Sequence, residues 1–156
     1  MAQGDLYSKT LSHFQNVCSK RECCSKDIFL KAVKLLEGDK EAAEKLVASL
    51  VEEKYVDDLR YASAFARDKS SLSGWGTVKI SYMLSMKGIP KGVISEALKE
   101  IEGDKAAGKL ENIISAKYKT LKGEKDCKLK LLRFALGRGY NYDEVAPVVD
   151  KLLKEE

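Results

Sequence analysis

Apolar residues in this 156-residue chain form helical stripes that recur at an interval of about 51 residues. Ala43, Val47 and Leu50 map onto Ile94, Leu98 and Ile101, and these onto Val145, Val149 and Leu152. A second set, Phe29 and Val33, maps onto Ile80 and Leu84, then onto Leu131 and Ala135. A stop follows in register in two of the rounds: Lys87-Gly88-Ile89 aligns with Arg138-Gly139-Tyr140, while the glycine of Glu37-Gly38 is displaced by one. Spacings of three, four and seven place each stripe on one face of a helix. A unit of about 50 residues buries too little surface to be very stable alone, so consecutive units must stack. The expected fold is all-α: three tandem three-helix repeats, 1–54, 55–103 and 104–156, stacked into an elongated, curved molecule.

Local signals agree with helices throughout. Leu11, Phe14, Val17 and Cys18 form the first stripe. Ser25, Asp39, Asp57 and Ser73 stand where N-caps are needed, and Pro90 suits the opening of a helix because its missing N–H is not required there. The third round carries Leu110, Ile113, Ile114 and Leu121, then Leu129, Leu131, Leu132 and Phe134. Pro147 lies inside the final stripe, which predicts either a helix that starts near Asp143 or a kink. Only 2 prolines and 11 glycines occur, too few for the many tight turns of an all-β chain.

Several function classes are disfavoured. There is no phosphate-binding G-x-x-x-x-G-K-[ST] loop, no H-E-x-x-H and no G-x-S-x-G, so an enzyme is not expected. Cys18, Cys23, Cys24 and Cys127, with the single His13, lack the paired spacing of a zinc site. Reduced, idle thiols are expected, with no metal and no cofactor. His13 reads as a polar residue on the first helix. No apolar run approaches the roughly 18 residues of a membrane span. Met1-Ala2-Gln3-Gly4-Asp5 does not resemble a secretory leader, and a cytoplasmic location is expected.

Charge is distributed unevenly. Nine basic and nine acidic residues balance over 1–56, whereas 104–156 holds twelve basic against nine acidic. Between Lys117 and Arg138 stand Lys117, Lys119, Lys122, Lys125, Lys128, Lys130, Arg133 and Arg138, opposed only by Glu124 and Asp126. Such a surplus can hold a phosphate backbone by counterion release, or be a solvated helix face. Trp75, flanked by Gly74 and Gly76, is either a partner-binding anchor or an apolar plug between repeats.

The run Tyr55-Val56-Asp57-Asp58-Leu59-Arg60-Tyr61-Ala62 resembles the Asp-Asp-x-Arg-[Phe/Tyr]-Ala signature of the RecX regulatory proteins. Gly76-Thr77-Val78-Lys79-Ile80, Leu84 and Lys87-Gly88-Ile89 resemble the family's following Gly-x-x-Arg-Ile-x-x-Glu-Leu-x-x-Lys-Gly-Ile run, and Arg138-Gly139-Tyr140 looks like its counterpart in the third repeat. Lys79 stands where arginine is usual and Met83 where an acid is usual, so a bidentate contact is lost at that point. The resemblance implies a non-enzymatic modulator that lies on the RecA filament on single-stranded DNA and suppresses its ATPase, recombinase and coprotease activities, within DNA repair, recombination and the SOS response. Arg60, Trp75, Lys79, Lys87, Lys117, Lys128, Lys130, Arg133 and Arg138 are the candidate contacts to RecA or DNA. Asp57, Asp58, Gly76, Gly88 and Gly139 are structural motif positions, Asp57 as a helix cap and Asp58 as its first-turn neighbour. A monomer is expected. A stand-alone helical DNA-binding regulator and a protein adaptor are the alternatives.

Overall fold

The computed structural model describes residues 3–101 and 104–155. Met1-Ala2, at the start of the leader-free reading, lies outside the described residues, as does residue 103 at the second expected boundary. Among the described residues the chain is helical, with no strand. The helices are α1 (Gln3–Lys20), α2 (Ser25–Leu35), α3 (Lys40–Glu52), α4 (Asp58–Ser71), α5 (Thr77–Met86), α6 (Lys91–Leu98), α7 (Asp104–Leu121), α8 (Cys127–Gly137) and α9 (Tyr142–Lys154), with one 3-10 turn, Lys99–Ile101, after α6. They form two compact units, residues 1–64 with 84–97 and residues 65–83 with 98–156.

In the first unit α1, α2 and α3 pack on one another. Their stripes meet in a core of Phe14, Cys18, Ile28, Ala32, Leu46, Leu50 and Val56, with Leu11, Val17, Phe29 and Val33 partly buried around it. The fully buried positions of α2 are thus Ile28 and Ala32, one residue before the Phe29 and Val33 of the 51-residue register. Here the match to the buried Ile80 and Leu84 is at about 52. The turn that follows has the same length as its counterpart after α5 but another backbone: Glu37 and Gly38 both take positive φ, 58° and 89°, where Gly88 alone does in the second round. This explains the displaced glycine.

Asp39 caps α3 as expected, accepting from the Ala42 N–H at 3.0 Å. Asp57 caps α4 through the Arg60 N–H at 3.0 Å. Ser25 is not a cap. It is the first residue of α2, and its own N–H donates to Asp58 Oδ1 at 2.9 Å, so a carboxylate from the start of α4 satisfies the start of α2. The Asp58→Ala chain is expected to lose about 1 kcal/mol of stability in urea denaturation, the ordinary value of a helix cap.

In the second unit α7, α8 and α9 pack on one another around Leu110, Ile114, Tyr118, Leu131, Ala135, Tyr140, Val145 and Val149. Leu129 departs from its expected place in the stripe: it is 46% exposed, because on α8 it lies two residues from the buried Leu131 and faces away. The last helix starts at Tyr142 and runs through Pro147 to Lys154. A capping box holds its start, with Asn141 accepting from the Glu144 N–H and Glu144 accepting from the Asn141 N–H.

The thiols of the first unit shape its response to alkali. Burial pushes Cys18 up to about 12 and Cys24 up to about 11. The folded chain therefore keeps these protons where the unfolded chain releases them. Stability is full below about pH 9 and falls above it, by of order 1 kcal/mol per pH unit per thiol. Urea midpoints at stepped pH are expected to drop from about pH 9 upward, and the Cys24→Ser chain to drop less steeply.

Candidate functional site

The residues between α4 and α5 are seated by the end of α8. A helix start leaves backbone N–H groups without intrahelical partners, and a side-chain cap at Ser73 was the expectation. Instead α5 begins four residues later, and its first N–H groups are met by backbone: Gly76 donates to the Arg138 carbonyl and Val78 to the Gly139 carbonyl, both at 2.8 Å. The positive end of α5 thus abuts the negative end of α8, and each satisfies the other. Such close approach excludes side chains. A Cβ on Gly76 would stand 2.5 Å from the Gly139 carbonyl carbon and oxygen. Gly139, at φ 98°, lies in the left-handed region and against Lys79. Arg138 Nη1 donates to the Ser73 carbonyl at 2.8 Å, and Tyr140 Oη to the Gly74 carbonyl at 3.2 Å. Burial raises the Tyr140 phenol above its ordinary value, so it stays a donor at neutral pH.

Held in this seat, Trp75 is half-buried and topped by cations. Lys79 Nζ lies 4.3 Å and Lys69 Nζ 4.8 Å from its ring centroid. Phe65 meets the indole edge-on at 6.2 Å, and Lys69 also stands 5.6 Å over Phe65. A second such group is built on α7 and α8, where Lys117 and Arg138 lie 5.1 and 5.2 Å from the Phe134 ring centroid. Ammonium groups over ring faces are attracted by the ring quadrupole. Each group therefore presents fixed positive charge beside an aromatic surface, the chemistry that engages phosphates and unpaired bases or the acidic face of a protein. Lys69 and Phe65 were absent from the sequence candidates. Their i, i+4 spacing on α4, like that of Phe134 and Arg138 on α8, was the available signal.

The other candidates are placed differently. Arg60 is a clasp within the first unit: its Nε reaches Glu22 at 2.7 Å, and its Nη2 donates to the Lys54 and Tyr55 carbonyls at 3.2 and 3.3 Å. The Glu22 bond raises the guanidinium pKa. Lys87 pairs with Asp27 at 2.8 Å. Burial alone would raise Asp27, yet hydrogen bonds from Lys87 and Cys24 and the Lys87 charge hold it below its ordinary value. Lys26 Nζ donates to the Met86 carbonyl at 3.1 Å, so the start of α2 and the end of α5 are also joined. Lys128 pairs with Asp150 at 3.1 Å, and Lys130 lies 4.0 Å from Glu124. Lys119, Lys125 and Arg133 are exposed. His13 is exposed on α1, with its ring edge-on to Phe14. Among the described residues no group of three or more His, Cys, Asp or Glu is arranged to hold a metal ion, and no helix is long and apolar enough to cross a membrane.

Helical triplets, a helix start seated on a helix end, and cation-topped aromatics define, among the described residues, an all-helical protein of repeated units. Residues 57–98 match the model of the second three-helix domain of RecX. Over 119 residues the chain is 36% identical to regulatory protein RecX of Clostridium tetani, covering 74% of this chain and 54% of that protein. It is 31% identical to regulatory protein RecX of Lactococcus lactis subsp. cremoris, again over 74% of this chain but 44% of the relative. The chain thus spans about half the length of these relatives. The crystal structure of RecX from Lactobacillus salivarius superimposes with a TM-score of 0.81 over 96% of this chain and 97% of that one, at 20% identity. A second RecX crystal structure gives 0.82 over 99% and 74%, also at 20% identity. The chain belongs to the RecX family of regulatory proteins.

Proposed function

We propose that this protein binds the filament that RecA forms on single-stranded DNA and lowers its ATPase, recombinase and coprotease activities. Membership of the RecX family is the observation that carries this reading. The protein acts in the cytoplasm as a monomer, without catalytic residues or a cofactor. Residues 1–54, 55–103 and 104–156 serve as its three repeats. Small contacts spread over three repeats add through effective concentration, so no single pocket is required. The cation-topped Trp75 and Phe134 groups supply the positive, aromatic part of the surface.

The test is ATP hydrolysis by RecA on single-stranded DNA, titrated with this protein at two salt concentrations. Inhibition at or below stoichiometric protein, weakened by salt, is expected. Unchanged hydrolysis with the folded protein would overturn the reading. Tight binding to duplex DNA without RecA would then favour a stand-alone DNA-binding regulator, and its absence an adaptor.

A further inference from the structure

Helical period fixes which way α2, α5 and α8 face. Ile28, Ile80 and Leu131 are their buried register equivalents, spaced 52 and 51 residues apart. A residue two positions from a buried one lies about 200° around the helix and points away from the core. Lys26, Val78 and Leu129 stand two positions before these residues, and Leu30, Tyr82 and Arg133 two after. All six are exposed. The stripe that buries one face of each helix therefore leaves the opposite face open, at the same register, on three helices.

The composition of these helices is not that of an ordinary solvated face. Among the described residues, seven of the eleven exposed large apolar side chains lie on α2, α5 and α8, so they are concentrated rather than scattered. Single exposed apolar residues are ordinary, whereas a recurring column of them marks an interaction surface. The same helices hold seven basic residues but one of the chain's 24 acidic ones, Asp27, and Lys87 occupies it at 2.8 Å. Each face thus joins apolar contact to positive charge, the complement of an apolar patch rimmed by carboxylates. A nucleic-acid strand is the poorer fit, because aliphatic Leu30, Val78 and Leu129 gain nothing from phosphates.

Equivalent faces on one chain call for equivalent receptors. A monomeric partner offers one copy of a given surface, whereas a filament of identical subunits offers the same surface on each of them. We propose that the outward faces of α2, α5 and α8 are three docking surfaces for subunits of one protein filament, each taking an apolar patch with an acidic rim. This inference rests on the proposed function, which supplies the filament, and it names the part of the chain that meets its protein. Each face is small, and binding builds up because the three engage one polymer.

The experiment measures the concentration that half-inhibits RecA ATPase on single-stranded DNA, for the full chain and for Leu30→Ala, Tyr82→Ala, Leu129→Ala and their combination. The three sites are exposed and alanine is the best helix former, so the variants keep their fold, which circular dichroism checks. Each single change should raise that concentration about fivefold, as truncating an apolar interface residue does. The triple change should raise it about a hundredfold, because separated contacts add in free energy. Val51→Ala, which truncates an exposed apolar residue on α3, should leave it unchanged. Binding of a labelled oligothymidine without RecA should also be unchanged, because no charge is altered. Inhibition by the unaltered chain with full potency in the triple variant would overturn this inference and leave the proposed function standing. A loss confined to one of the three sites, or an equal loss of binding to the bare oligonucleotide, would overturn it as well. Absence of inhibition by the unaltered chain would overturn both.

Discussion

The Gly139→Ala chain is expected to lose at least about 3 kcal/mol of stability, the range of a strained backbone combined with core overpacking. Two independent costs act at this one position. Gly139 sits at φ 98°, where an L side chain is strained. Its new methyl would also lie 2.7 Å from the Lys79 backbone nitrogen, in the first turn of α5. The nearest relief is to draw α5 away from α8, which breaks the bonds from Gly76 and Val78 to the Arg138 and Gly139 carbonyls. The Gly137→Ala chain is the control. Gly137 is helical and a methyl there meets nothing within 4 Å, so that change should be neutral or stabilising by up to about 1 kcal/mol. Urea denaturation followed by circular dichroism compares the two. Equal midpoints would remove the seat of α5 on α8 as a determinant of stability.

The chain carrying Lys119→Ala, Lys125→Ala and Arg133→Ala should require at least about tenfold more protein to inhibit RecA ATPase by half. This expectation rests on the proposed function. The three residues are exposed on or near α7 and α8, whereas Lys128 and Lys130 are occupied with Asp150 and Glu124. If the three cations meet phosphates, the slope of log affinity against log salt should become shallower by about 2, three contacts at about 0.7 each on single-stranded DNA. Circular dichroism should be unchanged, because none of the three lies in the core of the second unit. Full potency with an unchanged salt slope would move the contact surface away from the third repeat.

Much of the helical framework was legible in the sequence because helices are local. Asp39 and Asp57 cap the helices that follow them, and Gly88 and Gly139 take positive φ at helix stops. Each of these needs only neighbours three or four residues away. The buried columns at Ala43, Ile94 and Val145 follow from helical period alone. The one-residue slip in α2 was foreshadowed by the displaced glycine, but the paired positive φ of Glu37 and Gly38 became visible only with the backbone in hand.

The roles of the signature residues were not legible, for a different reason. Asp58 looks like a first-turn neighbour of the Asp57 cap, yet it caps α2, 33 residues earlier in the chain. Arg60 and Lys87, read as candidate contacts, meet Glu22 and Asp27. Ser73, read as a cap, gives up its carbonyl to Arg138, while α5 is capped by backbone from the end of α8. The sequence by itself determined the helices, their stops and their repeating stripes, because those depend on side-chain period and on caps within one turn. Only the tertiary structure decided which charges are spent inside the molecule and which lysines top Trp75. A charge pairs with whatever the fold brings within about 4 Å, and separation along the chain carries no information about that distance.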